Sequence, residues 1–247
     1  MVRLVYAGRT YTLADALLET DKAKMSDNFL IIMPTRGRRA AALEAMASVI
    51  RTADNPEQVR IITCQDNDDP ERFTIDGPML RTLMGPRQTM IGWLNEAWKH
   101  NASGNWDWVA WLGDDVRYRT RGWDTIVASH DQLLVYGMDG YQDEKLATHP
   151  FIRIGLPRWL GYLVPPQLKH FFPDNFYHDL TTAIGSIRYD NRILTQHLHP
   201  DAGLGKMDKC YDESRPYMTE DAVAYEKIKG TIPELAEAWK KTLGLNL

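Results

Sequence analysis

Cysteine is almost absent from this sequence: Cys64 and Cys210 are the only two in 247 residues, and they stand far apart. That excludes a disulfide framework and a four-thiolate zinc site, and leaves two reduced thiols packed as small hydrophobes. Long apolar runs are missing as well. Stretches such as residues 29–33 and 109–112 fall well short of the ~18–20 residues that cross a bilayer, so no membrane association is expected. The first residues carry no basic segment followed by an apolar core and a small-residue cleavage site, and a cytoplasmic address is the expectation. Basic charge is not in excess either. A net charge of −4 argues against a general polyanion binder, whose surface must neutralise phosphates. No G-x-G-x-x-G follows the first apolar run, and no G-x-x-x-x-G-K-[ST] occurs, which removes two glycine-rich phosphate cradles.

What is present is ordinary globular composition, 44% hydrophobic and 25% charged, enough for a sizeable core in one α/β domain. Residues 1–28 read as an N-terminal appendage, alternating over 2–12 and then polar and helix-like up to residue 28. From residue 29 the pattern becomes apolar run, turn and amphipathic helix, repeated. A strand at 29–33 leads through Pro34-Thr35-Arg36-Gly37 into an Ala-rich helix at 38–51. A strand at 59–64 ends in the acidic loop Gln65-Asp66-Asn67-Asp68-Asp69-Pro70. A weaker strand at 79–84 precedes a helix at 87–100, and a strand at 108–112 runs into Gly113-Asp114-Asp115. This alternation predicts an α/β fold with a mostly parallel sheet flanked by helices. Ligands of such sheets bind outside the carboxyl ends of the strands, where the loops at 34–38, 65–69 and 113–115 fall. The second half is less regular: strands at 133–136, 151–154 and 192–197, a helix at 175–187, and a helical stretch at 219–243 interrupted at Gly230 and Pro233.

Asp114 and Asp115 carry the clearest chemistry. Two adjacent carboxylates at the end of a buried strand need a cation or a basic partner, and Mg²⁺ and Mn²⁺ prefer such oxygen ligands with substrate phosphates completing the shell. A solvated turn or helix cap accounts for the pair equally well when position is ignored. Arg87 opens a helix in Gly85-Pro86-Arg87-Gln88, where amide groups and a guanidinium suit an anion; an exposed first-turn arginine is the alternative. Arg117, Arg119 and Arg121 share one face of an extended segment, as an anion guide or a solvated stripe. Of eight tryptophans, most are expected in the core, with Trp123 and Trp159 as candidate sugar or acceptor contacts.

Three motifs in order, Phe29-Leu30-Ile31-Ile32-Met33-Pro34-Thr35-Arg36-Gly37-Arg38, the strand at 59–64 followed by Asp66, and Leu112-Gly113-Asp114-Asp115-Val116, resemble the GT-A fold glycosyltransferases. The likeness is greatest to the family-two-like inverting enzymes that open with a strand and a Pro-Thr-Arg turn. It covers residues 29–128, and the later part only through scattered landmarks. The resemblance implies a nucleotide-sugar-binding half at 29–128, an acceptor and catalytic half at 129–218 and C-terminal helices at 219–247, within one GT-A domain at 29–247. It implies that Pro34, Thr35, Arg36, Asp66, Arg87 and Asp114 bind the donor nucleotide, with Asp66 on the uracil or ribose. Asp115 would hold the metal. Gly113 stands where the family more usually has the first acidic residue of its metal motif.

In the second half the resemblance implies a general base at Asp179, in Phe176-Tyr177-His178-Asp179-Leu180, where the usual Glu-Asp doublet is replaced by His178-Asp179; Asp174 is the reserve. A helix N-terminal carboxylate is the plain alternative. Gln196-His197-Leu198-His199-Pro200 supplies His199, or else His197, as the third metal ligand that several GT-A enzymes draw from downstream. The function expected is transfer of a sugar from a nucleoside diphosphate donor, UDP-linked, to an acceptor hydroxyl, dependent on Mn²⁺ or Mg²⁺ and inverting if Asp179 is the base. The acceptor, a protein, a modified nucleobase or a small metabolite, is not legible. A nucleotidyltransferase making an activated sugar is one alternative, though Pro34-Thr35-Arg36-Gly37 is a poor version of its Gly-rich loop. A non-catalytic carbohydrate or nucleic-acid binding module is another.

Overall fold

A computed structural model describes residues 3–6, 9–12, 27–205 and 207–243. Strands β1 (Arg3–Tyr6) and β2 (Arg9–Thr12) pair antiparallel as a separate hairpin. Apart from its last two residues, the polar run expected before residue 29 lies outside the described residues. The main body follows in the order β3 (Phe29–Pro34), α1 (Arg39–Thr52), β4 (Val59–Asp66), β5 (Leu80–Gly85), α2 (Met90–Asn101), β6 (Trp108–Trp111), β7 (Val116–Tyr118), α3 (Trp123–Ala128) and β8 (Leu134–Met138). It continues through β9 (Phe151–Arg153), α4 (Gly155–Leu160), α5 (Pro173–Ile184), β10 (Ile187–His197), α6 (Lys209–Ser214) and α7 (Tyr217–Thr242).

The eight main strands form one sheet in the order β5-β4-β3-β6-β9-β8-β10-β7. Four neighbouring pairs are parallel, including the block β5-β4-β3-β6, and the inserted β9 and the edge strand β7 run antiparallel to their neighbours. The central strand β3 is continuously apolar because helices cover both faces of the sheet. Its alternation divides the core: Leu30 and Ile32 pack with Trp93, Trp98, Trp111 and Tyr177 on one face, whereas Phe29, Ile31 and Met33 pack with Val49, Trp108, Trp123 and Phe151 on the other.

Two expectations are corrected in the second half. The last strand starts at Ile187 and runs 11 residues, because its first part pairs with β8 and its last part with β7. Helix α7 passes without interruption through Gly230 and Pro233. Burial of Tyr225, Ile232, Ala236 and Trp239 against the core outweighs the propensity cost of the two breakers, about 1 kcal/mol for glycine and 3 for proline. Among the described residues no helix is long and apolar enough to cross a membrane.

Candidate active site

The parallel block brings the carboxyl ends of β3, β4 and β6 side by side, so Pro34-Thr35-Arg36, Asp66 and Asp114-Asp115 line one cavity of about 730 Å³. The acidic loop after β4 secures the turn after β3. Asp69 accepts the amide of Gly37 (3.1 Å) and Glu71 that of Arg39 (3.0 Å), satisfying donors at the start of α1, which has no side-chain cap of its own. Asp66 is 3% exposed and accepts from Arg36 Nη1 (3.0 Å), the Gln88 amide (3.1 Å) and Trp93 Nε1 (2.8 Å). Asp114 accepts from Thr35 Oγ1 and Arg38 Nη1, both at 2.8 Å. Asp115 takes the Tyr211 hydroxyl at 2.7 Å, and His197 Nε2 lies 3.6 Å from the same oxygen.

A Cβ at Gly113 would fall 2.6 Å from Asp115 Oδ1. An acidic residue there would require the Asp115 carboxylate to shift. The opposite wall comes from the 170–175 segment and the start of α5, with Phe171, Phe172 and Asp174 facing the cavity.

No family model matches the sequence, and no curated protein matches it. Solved structures do match in fold. S. aureus TarS residues 1–349 align with a TM-score of 0.51 at 13% identity over 78% of this chain and 65% of that one. The crystal structure of S. aureus TarS gives 0.51 at 12% over 76% and 42%. GalNAc-T7, crystallised with UDP, GalNAc and Mn²⁺, gives 0.52 at 11% over 70% and 44%. The chain has the GT-A fold. It spans less than two thirds of the length of each of these GT-A chains.

Within this GT-A frame, Pro34, Thr35, Arg36, Asp66, Arg87, Asp114, Asp115 and His199 all line the one cavity. Asp179 does not. Its Oδ2 accepts the Tyr225 hydroxyl at 2.7 Å and lies 3.8 Å from Lys229 Nζ, so it faces α7. Asp174, in the first turn of α5, reaches the cavity instead. Desolvation pushes its pKa up to about 6, against the stabilising amide of Asn175. Burial also raises the pKa of Asp114, opposed by Arg38. For Asp115 burial works the same way but is overcome by His197 and Tyr211, which hold its pKa below the usual carboxylate range.

His199 uses its Nδ1 to accept the Asp201 amide at 3.2 Å, and its ring stacks on Tyr141 and lies 5.0 Å from the His197 ring. His197 is the imidazole beside the carboxylate. Trp123 and Trp159 are not cavity residues. Trp123 is fully buried, stacked on Phe151 and bonded to the Val49 carbonyl, while Trp159 packs on Trp239; Trp93 and Trp111 line the cavity in their place. Arg117 is spent on the Asp114 and Val116 carbonyls and Arg119 on Gln196.

Several cavity residues escaped the sequence reading. Arg38 was legible only as the end of the Pro-Thr-Arg-Gly-Arg turn. Tyr211 and His149 carried no local signal. His149 adopts φ +48, has both ring nitrogens buried with no hydrogen-bond partner, and lies 4.9 Å ring to ring from His197. Burial, then repulsion from His197, lowers its pKa to about 3, so it is neutral at physiological pH.

Among the described residues no three His, Cys, Asp or Glu side chains are arranged as a ready metal cage. Asp115 and His197 nevertheless offer an anionic oxygen and an imidazole nitrogen at the cavity surface. That donor set fits a divalent cation, whose remaining ligands would come from outside the protein.

Proposed function

We propose that this chain is a glycosyltransferase that moves a sugar from a nucleoside diphosphate donor, UDP-linked, to an acceptor hydroxyl. The observation that carries the reading is the convergence, in one cavity, of the strand-end groups Thr35, Arg36, Asp66 and Asp114-Asp115 with the desolvated carboxyl of Asp174 on the facing wall. Arg36, already ordered by Asp66 and Asp68, orients the nucleotide, and Asp66 presents its carboxylate to the nucleoside. Asp115 and His197 are the groups that would hold Mn²⁺ or Mg²⁺, which when bound supplies positive charge to the departing diphosphate.

Asp174 is the general base. It takes the proton of the acceptor hydroxyl as that oxygen bonds to the anomeric carbon, and the bond from that carbon to the diphosphate oxygen breaks with the electron pair leaving on the diphosphate. A single base opposite the leaving group corresponds to inversion. A pKa near 6 suits the role, since a base works best near operating pH. The test is UDP release from a panel of UDP-sugars with Mn²⁺, together with the melting temperature in UDP. Expected are cation-dependent release and a UDP-induced rise in melting temperature that Asp66→Ala abolishes. No release from any nucleotide sugar and no thermal shift would overturn the reading.

A further inference from the structure

Helix α6 sits across the donor side of the cavity, and its contacts fall on the charged groups there. Asp208, just before the helix, grips Arg38 with both carboxylate oxygens, at 2.7 Å to Nε and 2.6 Å to Nη2. Glu213 takes Arg87 Nη2 at 2.8 Å and approaches Arg36 Nε at 3.9 Å. Tyr211 caps Asp115 and lies under the Arg38 guanidinium, 4.8 Å from ring centroid to Cζ. A bidentate guanidinium–carboxylate pair has the geometry of a guanidinium–phosphate pair. Two carboxylates also carry about the charge of a nucleoside diphosphate sugar's two phosphates.

We propose that Arg38 and Arg87 are ligands of the donor's diphosphate, and that Asp208 and Glu213 form a built-in anionic latch that occupies them until the donor arrives. The inference rests on the donor-site reading above and adds to it the competing carboxylates. Diphosphate exchanges with the latch carboxylates on the same guanidinium groups, so the local charge hardly changes and the largely buried Arg38 is never left unpaired. The side chains suit such an exchange: Arg38 is 15% exposed and held from behind by Asp114, while Asp208 and Glu213 are 42% and 32% exposed and keep other partners when they release the arginines, Asp208 the Cys210 amide at 3.0 Å at the start of α6 and Glu213 the Lys209 ammonium at 3.5 Å. The latch lowers apparent donor affinity by the fraction of molecules in which it is closed.

The test is calorimetric binding of inorganic pyrophosphate, and separately of uridine, to the full chain and to the double variant Asp208→Asn/Glu213→Gln. The expected result is pyrophosphate binding about tenfold tighter in the variant, with uridine affinity unchanged. Amide exchange across residues 209–214 of the unmodified protein is expected to rise when pyrophosphate is added. Equal or weaker pyrophosphate binding by the variant would overturn the latch, and so would exchange over 209–214 that pyrophosphate leaves unaltered. Uridine binding reports separately on the nucleotide site: if it persists while pyrophosphate affinity does not respond, the latch fails and the donor-site reading stands.

Discussion

Tyr225 donates its phenolic proton to Asp179 Oδ2 at 2.7 Å, and this contact joins α5 to α7 on the side away from the cavity. Asp179→Asn is therefore expected to leave turnover within about threefold of the unmodified enzyme and to cost about 1 kcal/mol of stability. Asp174→Asn, by contrast, is expected to lower kcat by roughly 10²–10⁴-fold with UDP affinity preserved. Steady-state kinetics beside UDP calorimetry separate the two; a larger kcat loss in Asp179→Asn would return the base to that position.

The pH profile follows from the same residue. Asp174 must be ionised to accept a proton, so kcat is expected to fall on the acid side with a midpoint near 6. The stability consequence has the opposite sense. A carboxyl whose pKa is raised by folding contributes stability below its ordinary value near 4, and that contribution is lost as pH rises through about 6. Asp174→Asn should then melt higher than the unmodified protein at pH 8, with the gap closing by pH 4. Parallel melting curves at both pH values would refute the desolvated carboxyl.

Asp115 and His197 are expected to act together. Chelation should abolish turnover, Mn²⁺ should restore it, and Asp115→Ala or His197→Ala should each lower kcat by roughly 10²-fold or more. His199→Ala should fall short of that, because its ring is committed to the Asp201 amide and to Tyr141. Mn²⁺ titrations of the four proteins provide the check; His199→Ala losing Mn²⁺ binding while His197→Ala retains it would reverse the assignment.

Asp221 of α7 is fully buried and accepts three successive amides, those of Lys169 (2.9 Å), His170 (2.8 Å) and Phe171 (2.8 Å). These residues lead into the wall that ends at Asp174, and Phe172 within it holds φ +70 while stacking on Tyr225. Asp221→Ala orphans three amides and is expected to cost about 3 kcal/mol or more. The milder Asp221→Asn should raise the acceptor KM while UDP affinity stays constant. Denaturant melts and acceptor titrations measure both; an unchanged acceptor KM in Asp221→Asn would leave Asp221 with a stabilising role only.

The sequence by itself determined the parallel block and the donor-side loops. A strand buried on both faces must be continuously apolar, so the runs at the starts of β3, β4 and β6 announce themselves, and the chain that follows each run falls at the sheet's carboxyl edge. That logic placed the loops that carry Thr35, Arg36, Asp66, Asp114 and Asp115 at one edge of the sheet, and the GT-A resemblance singled out Thr35, Arg36 and Asp66 within them. Tertiary structure decided the rest. Asp174 and Asp179 are both carboxylates of one helix, but five residues apart they point roughly 140° away from each other, and only the packing of α7 shows which faces the cavity. His197 and His199 would share a face on a straight strand. Both line the cavity, with rings 5.0 Å apart, and only the fold shows that His197 Nε2 lies 3.6 Å from Asp115 whereas His199 Nδ1 accepts the Asp201 amide. Arg38 and Asp208 meet across 170 positions of sequence, a separation at which no periodicity carries information, so the latch came only from the folded chain.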